Sequence, residues 1–417
     1  MSTAGAIASK SNNFKLPAWV TRERITLYSL IVLMIDLVYF ILRFDGAYIF
    51  KIPNFTALGW DFAVFWSASY LTLHNGAASA FNIGLIHQLT APLQHDTRGL
   101  FPTPWLYPPT FLLAVRPLVL LPFYASYAAF VTFGVTFCAF MYTRMLKPAL
   151  VVWLPALAFP AVWIAGMAGQ NSFLTLGLAA GGLIFLDKRP WLAGIFIGLL
   201  AIKPQLGVIF PLALILGRNW RALASACITT TTFCVLAGVI LGFDTYGQFF
   251  AALPWFSHFV VAHAGAWPTG MPTGFALARH FGLSPSAAYL VQAILAAPAV
   301  ALVIYLALIR ARLELRAAAI AVATLLAQPY LLHYDLIWLA LPIVFLVVDG
   351  LRHGWHKGDI PVLILVWLVP IAYYLPPEWE FSQNIPIVML AILILIFRRC
   401  RNAPTEPVLG HELGALI

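Results

Sequence analysis

The chain is a succession of apolar segments with nearly all of its charges in the gaps between them. Such segments fall at about 25–44, 109–121, 123–143, 150–166, 171–186, 190–202, 205–217, 221–241, 286–309, 317–329, 335–349, 360–375 and 385–397. A membrane-spanning helix needs about 20 apolar residues, with a range near 17–25. Several segments are shorter, which implies half-embedded or tightly connected helices. A soluble core is excluded, because 62% of the 417 residues are hydrophobic and only 9% are charged. An ordinary soluble domain has roughly 25% charged residues, and this chain has too little polar surface to cover its apolar bulk. A disordered chain, a coiled coil and a secreted disulfide scaffold are excluded by the same composition. What remains is an all-α polytopic membrane protein, with 31 Phe, 15 Tyr and 14 Trp as a supply of interfacial anchors.

The net charge of +9 does not point to nucleic acid, because the basic residues are scattered singly between apolar stretches. Cys138, Cys227, Cys234 and Cys400 have neither zinc-site nor redox-motif spacing, and read as packing residues. Residues 1–24 are polar and mildly basic. They lack the apolar core and cleavage site of a signal peptide and are expected to be a cytoplasmic N-terminal segment.

The basic residues also set the sides of the membrane. Lys10, Lys15, Arg22 and Arg24 place the N-terminus inside. The clusters Lys188–Arg189, Arg218–Arg221, Arg310–Arg316, Arg352–Lys357 and Arg398–Arg401 alternate correctly for inner loops. Arg144 and Lys147 join them only if 109–121 does not cross. That segment has thirteen residues, follows Pro108, begins at Pro109 and carries Arg116-Pro117 in its middle, so it is expected to be juxtamembrane or re-entrant. About twelve spans result, with both termini inside. Six of the 24 Lys and Arg then lie outside, namely Arg43, Lys51, Arg98, Arg116, Lys203 and Arg279. The expected transmembrane domain is 25–397, with long outer loops at 45–122 and 242–285 and a cytoplasmic tail at 398–417. Long structured loops on one face usually carry function.

By this topology seven carboxylates gather on the outer side: Asp45, Asp61, Asp96, Asp244, Asp335, Glu378 and Glu380. A transporter would instead place its polar groups near the midplane, where the one clear charge is Asp36, to be paired with a backbone or hydroxyl group or used in function. Asp61 lies between Trp60, Phe62, Phe65 and Trp66. Two readings of it are open. Aromatic neighbours desolvate a carboxylate and raise its pKa, which suits a base that takes a proton from a hydroxyl. Alternatively, Asp61 caps the helix that follows it.

The remaining polar breaks have comparable pairs of readings. Arg116 lies two turns beyond Pro109, to hold an anion or to snorkel to headgroups. Gln170 and Asn171 form an uncharged turn that bonds its own backbone or a sugar's hydroxyls. At Lys203, Pro204 interrupts the helix and leaves the ammonium at the membrane surface, to meet a phosphate or to snorkel. His333 and Asp335, two residues apart, tune each other, bind phosphate or cap the helix from Leu336. His258, His263 and His280 lack the spacing of a zinc site, and no metal is expected.

In order along the chain stand Trp60-Asp-Phe-Ala-Val-Phe-Trp66, Tyr107-Pro-Pro109, Gly169-Gln-Asn171, Ala193-Gly194 leading to Lys203-Pro204, Arg218-Asn-Trp-Arg221 and Tyr330 to Tyr334-Asp335. Over about residues 25–350 this resembles glycosyltransferase family 87, transferases of the GT-C superfold that depend on polyprenyl-phosphate sugars. The resemblance implies inverting transfer of a hexose, often mannose, from a polyprenyl-phosphate donor to a glycolipid or glycan acceptor. It implies a multi-pass protein of the inner (plasma) membrane with its site on the periplasmic face, juxtamembrane helices in the first outer loop, and no cofactor. Asp61 matches the position of the family's presumed base. Arg116, Lys203 and Arg279 would offset the leaving phosphate. Tyr107, Gln170 and Asn171 would orient sugar hydroxyls, and Trp66, Trp255 or Trp267 would stack on a ring. The competing class is a transporter or flippase of lipid-linked sugars.

Overall fold

The computed structural model describes residues 17–52, 55–95, 104–263, 271–375 and 384–401. Expectations placed on Asp96, Arg98, Trp267, Glu378, Glu380, residues 1–16 and the tail beyond residue 401 fall outside this set. The described residues contain no strand, and every apolar segment is helical. The first helix, Arg22–Phe44, starts where Thr21 accepts a hydrogen bond from Arg24 N at 3.3 Å, and it carries Glu23 in its first turn and Arg43 in its last. These are the charges that the helix dipole favours at each end.

Five helical stretches are long and apolar enough to cross a membrane: Arg22–Ile49, Phe123–Thr143, Trp220–Leu241, Pro285–Leu308 and His333–His353. A sixth results if Leu150–Leu157 and Pro160–Ala168, bent by 52°, form one span. The bend has a cause in the chain: Pro160 opens the second helix and lacks the N–H that would continue the first. The remaining apolar segments are helical but shorter, including Ser172–Ile184, Pro190–Ile202, Pro204–Leu216 and Asp359–Tyr374. Length therefore supports a polytopic membrane protein without fixing the number of crossings at twelve. The segment at 109–121 is a short helix, Pro109–Val115, continued by a 3-10 turn, Arg116–Leu120. It packs on the first-loop helix Phe62–His74 through Ser69 Oγ, which donates to Arg116 O at 2.7 Å.

Burial separates the centre of the bundle from its rim. The first four long helices have only 17–33% of their apolar stretch buried, against 78% for His333–His353. Met34, Leu42, Val239 and Leu290 stand out from the rim, as expected where lipid tails are the solvent. Close packing uses small residues. Pro190–Leu199 lies against Trp220–Leu241 so tightly that a Cβ at Gly194 would meet Ala222 O at 2.4 Å. That obstacle is backbone and cannot rotate away. Gly194→Ala should lower stability by about 1–3 kcal/mol, seen as a lower unfolding temperature in detergent. An unchanged temperature would mean that the two helices are not this close.

Charged groups gather at two ends. Asp335 and Asp349 sit on the same helical stretch, roughly 20 Å apart along its axis. Around Asp349, Arg312 and Arg399 pair with its carboxylate, Arg398 and Arg399 pair with Asp359, and Arg352 pairs with Glu314. Arg316 pairs with Asp187 at 2.8 Å. Three of the basic clusters, at 310–316, 352–357 and 398–401, thus meet at one end of the bundle. Asp36 is fully buried and accepts from Tyr374 Oη at 2.7 Å, a hydroxyl partner of the kind expected.

Candidate active site

The other end of the central helix holds the polar cluster, which begins with how the loop before Phe62 is fixed. Gly59 turns the chain with φ +75° and donates from its N–H to Met167 O at 2.7 Å. Asp61 N donates to Ala168 O at 3.1 Å, and Gln94 Nε2 to Trp60 O at 2.6 Å. Phe62 and Phe65 are buried below, with Phe65 edge-on to Trp105, Tyr107 and Phe111. Asp61 stands immediately before the helix Phe62–His74, but its side chain makes no capping hydrogen bond. Its backbone is already helical, with φ −84° and ψ −32°, so the carboxylate is not aimed at the free N–H groups.

The carboxylate turns to Gln170, whose Nε2 donates to Asp61 Oδ2 at 3.3 Å. Burial pushes the Asp61 carboxyl up to about 7. The Gln170 hydrogen bond and the Lys203 charge oppose that rise, and the Asp335 charge adds to it. Gln170 is held in turn, because its Oε1 accepts from Tyr107 Oη at 3.0 Å and from Asn171 N at 2.8 Å. Burial, with the Asp61 and Asp335 charges, raises the Tyr107 phenol well above its ordinary value, so Tyr107 stays a proton-bearing donor at neutral pH. The turn depends on Gly169, with φ +66° and no room for a Cβ, which would lie 2.6 Å from Phe62 Cβ. The turn bonds both its own backbone and the cluster. Asn171 is wholly buried, and neither polar atom of its side chain has a partner among the described residues.

Lys203 lies between two 3-10 turns, Leu200–Ile202 and Pro204–Gly207. Thr110 Oγ1 donates to Ala201 O at 2.7 Å, and Gln328 Nε2 to Gln205 O at 2.7 Å, so both flanks of the break are tied down. The ammonium is not a free surface charge: Lys203 is 5% exposed and its Nζ is 2.6 Å from Asp335 Oδ1. Asp335 is 3% exposed and also accepts from Ser172 Oγ at 2.9 Å. Asp335 therefore does not cap a helix from Leu336; it lies inside the 3-10 run His333–Leu339.

His333 and Asp335 do not tune each other. Two steps along a 3-10 helix put them about 120° apart around the axis, and His333 packs on the Tyr373 ring, centroids 4.9 Å apart. Its Nε2 has no partner among the described residues. Arg116 and Arg279 are not joined to the cluster by any described contact. Arg279 donates to Leu283 O at 2.7 Å, at the end of its own helix Gly274–His280. Trp66 donates to Leu121 O at 3.1 Å, and Trp255 stacks on Phe259.

The structure thus joins Asp61, Tyr107, Gln170, Lys203 and Asp335, with Asn171 beside them. It adds Ser172 and Gln94, which the sequence reading passed over. Ser172 had a signal, as the residue after a polar turn, but its use depends on a partner 163 positions away. Chemically, the arrangement sets a carboxylate that titrates near neutrality beside a buried cation and fixed hydrogen-bond donors. Such a site can take a proton from a hydroxyl and steady a developing negative charge.

The family model of glycosyltransferase family 87 matches residues 105–329. The matched stretch contains Tyr107, Gln170, Asn171, Ser172 and Lys203, while Asp61 and Asp335 lie on either side of it. No curated protein and no solved structure matches the chain. The match spans more than half of the 417 residues, and the chain therefore belongs to glycosyltransferase family 87.

Proposed function

We propose that this glycosyltransferase moves a hexose, mannose being the first sugar to test, from a polyprenyl-phosphate donor to a hydroxyl of a glycolipid or glycan acceptor, with inversion, at the outer face of the cell's inner membrane. The observation that carries this reading is the uncapped Asp61 carboxylate, held by Gln170 beside the Lys203–Asp335 pair. Asp61 takes the proton from the acceptor hydroxyl as that oxygen attacks the anomeric carbon. The bond from carbon to phosphate oxygen breaks on the opposite face of the sugar, so the configuration inverts and the electron pair leaves with polyprenyl phosphate. Lys203 spends one of its three N–H donors on Asp335, and the others are available to the leaving phosphate. Tyr107, Gln170 and Asn171 orient sugar hydroxyls; Arg116, Arg279 and His333 stand at the periphery of this reading.

The pH profile tests the base. Asp61 works ionised and its carboxyl titrates at about 7, so kcat/KM should fall about tenfold per pH unit below 7 and level off above it. A flat profile between pH 5 and 8 would remove Asp61 as the base. The face is tested separately, in a background lacking the native cysteines. Asn75→Cys should react with an impermeant thiol reagent from outside the cell and Arg218→Cys should not. The reverse pattern would put the site on the cytoplasmic side.

A further inference from the structure

A cavity lies at the arginine end of the bundle, away from Asp61. It encloses about 310 Å3 between the start of the first helix, the link from Phe123–Thr143 to Leu150–Leu157, and the helices Ala340–His353 and Asp359–Leu368. That volume is at the lower end of small-ligand pockets, about 300–1,000 Å3. No residue of the Asp61 cluster lines it. Its wall is apolar and aromatic, from residues such as Ile25, Val347, Leu363 and Trp367. The polar tips of two of its aromatics are already spent: Trp367 Nε1 donates to Pro155 O at 2.9 Å and Tyr142 Oη to Val152 O at 3.1 Å.

The charge on the lining has one sign. Arg24 and Lys147 both line the cavity, both are exposed, and among the described residues no acidic side chain lines it with them. Arg24 spends one N–H on Trp19 O at 3.2 Å. Lys147 has no ion-pair partner among the described residues. Trp19 and Tyr28, which also line the cavity, are 39% and 50% exposed, the habit of side chains at the level of lipid headgroups. An apolar slot with two cations at its mouth matches a molecule with an alkyl chain and an anionic head. We infer that this cavity holds one acyl chain of an anionic phospholipid, with Arg24 and Lys147 on its phosphate.

The test uses the full-length protein in a non-ionic detergent, titrated with phosphatidylglycerol or phosphatidylcholine and read by native mass spectrometry. The wild type should retain phosphatidylglycerol at least about fivefold better than phosphatidylcholine, the scale of one or two cations at a lipid surface. Arg24→Gln with Lys147→Gln, both exposed and so harmless to folding, should bring that ratio to about one. Arg218→Gln with Arg221→Gln, equally exposed but outside the cavity, should leave it unchanged. The inference is overturned if the wild type shows no preference for the anionic lipid, or if both double variants lose the preference alike.

Discussion

Asp61→Asn should give a folded protein that still binds the polyprenyl-phosphate sugar but transfers it about 10²–10⁴-fold more slowly, the usual worth of a positioned base. The substitution is nearly isosteric, and Asn Oδ1 can still accept from Gln170 Nε2. Asp61 makes no capping bond, so no helix start is lost with the charge. The loss should appear in turnover more than in donor affinity, because the proton moves only in the transition state. Kinetics of the purified variant check this, with donor binding measured separately. Near-normal transfer by a well-folded variant would remove Asp61 from the mechanism and turn attention to Asp335.

Lys203→Met should destabilise the protein by about 3–5 kcal/mol, because it leaves Asp335 as a buried carboxylate with only Ser172 as a partner. Donor binding should weaken as well, since the same ammonium is placed on the leaving phosphate. The two effects separate in a double variant. Lys203→Met with Asp335→Leu removes both charges and should recover most of the lost stability, as expected when a buried pair is replaced by apolar groups of similar size. Its activity should stay low. Unfolding temperatures of the single and double variants, measured alongside transfer, read both effects. A single variant as stable as the wild type would mean that Lys203 and Asp335 are not paired in the folded protein.

Helix positions were legible because apolar periodicity is local. Phe123–Thr143 has the bounds read from sequence, and Pro109–Val115 is short because prolines and Arg116 crowd its ends. Asp244–His263 was not legible as a helix, since Gln248, Pro254 and His258 interrupt its apolar pattern. Candidate residues were legible as polar breaks in apolar sequence, but their partners were not. Lys203 meets Asp335 across 132 positions and Asp36 meets Tyr374 across 338. Pairings of that reach follow from how helices pack. The same gap explains Lys203, read as a surface cation and found in a buried pair. The ends of the arginine clusters were legible, but their carboxylate partners Asp349 and Asp359 were not, because each pairs across helices.

The donor is the centre of the proposed reaction, and one measurement addresses it. The purified protein, reconstituted in liposomes with an extract of membrane glycolipids as acceptor, is given mannose labelled in the sugar, either as polyprenyl-phosphate mannose or as a nucleotide mannose. Label should pass to the acceptor from the lipid-linked donor alone, with free polyprenyl phosphate released in equal amount and the new linkage of inverted configuration. Transfer from the nucleotide sugar, or movement of the intact lipid-linked sugar across the bilayer with no labelled acceptor, would contradict it.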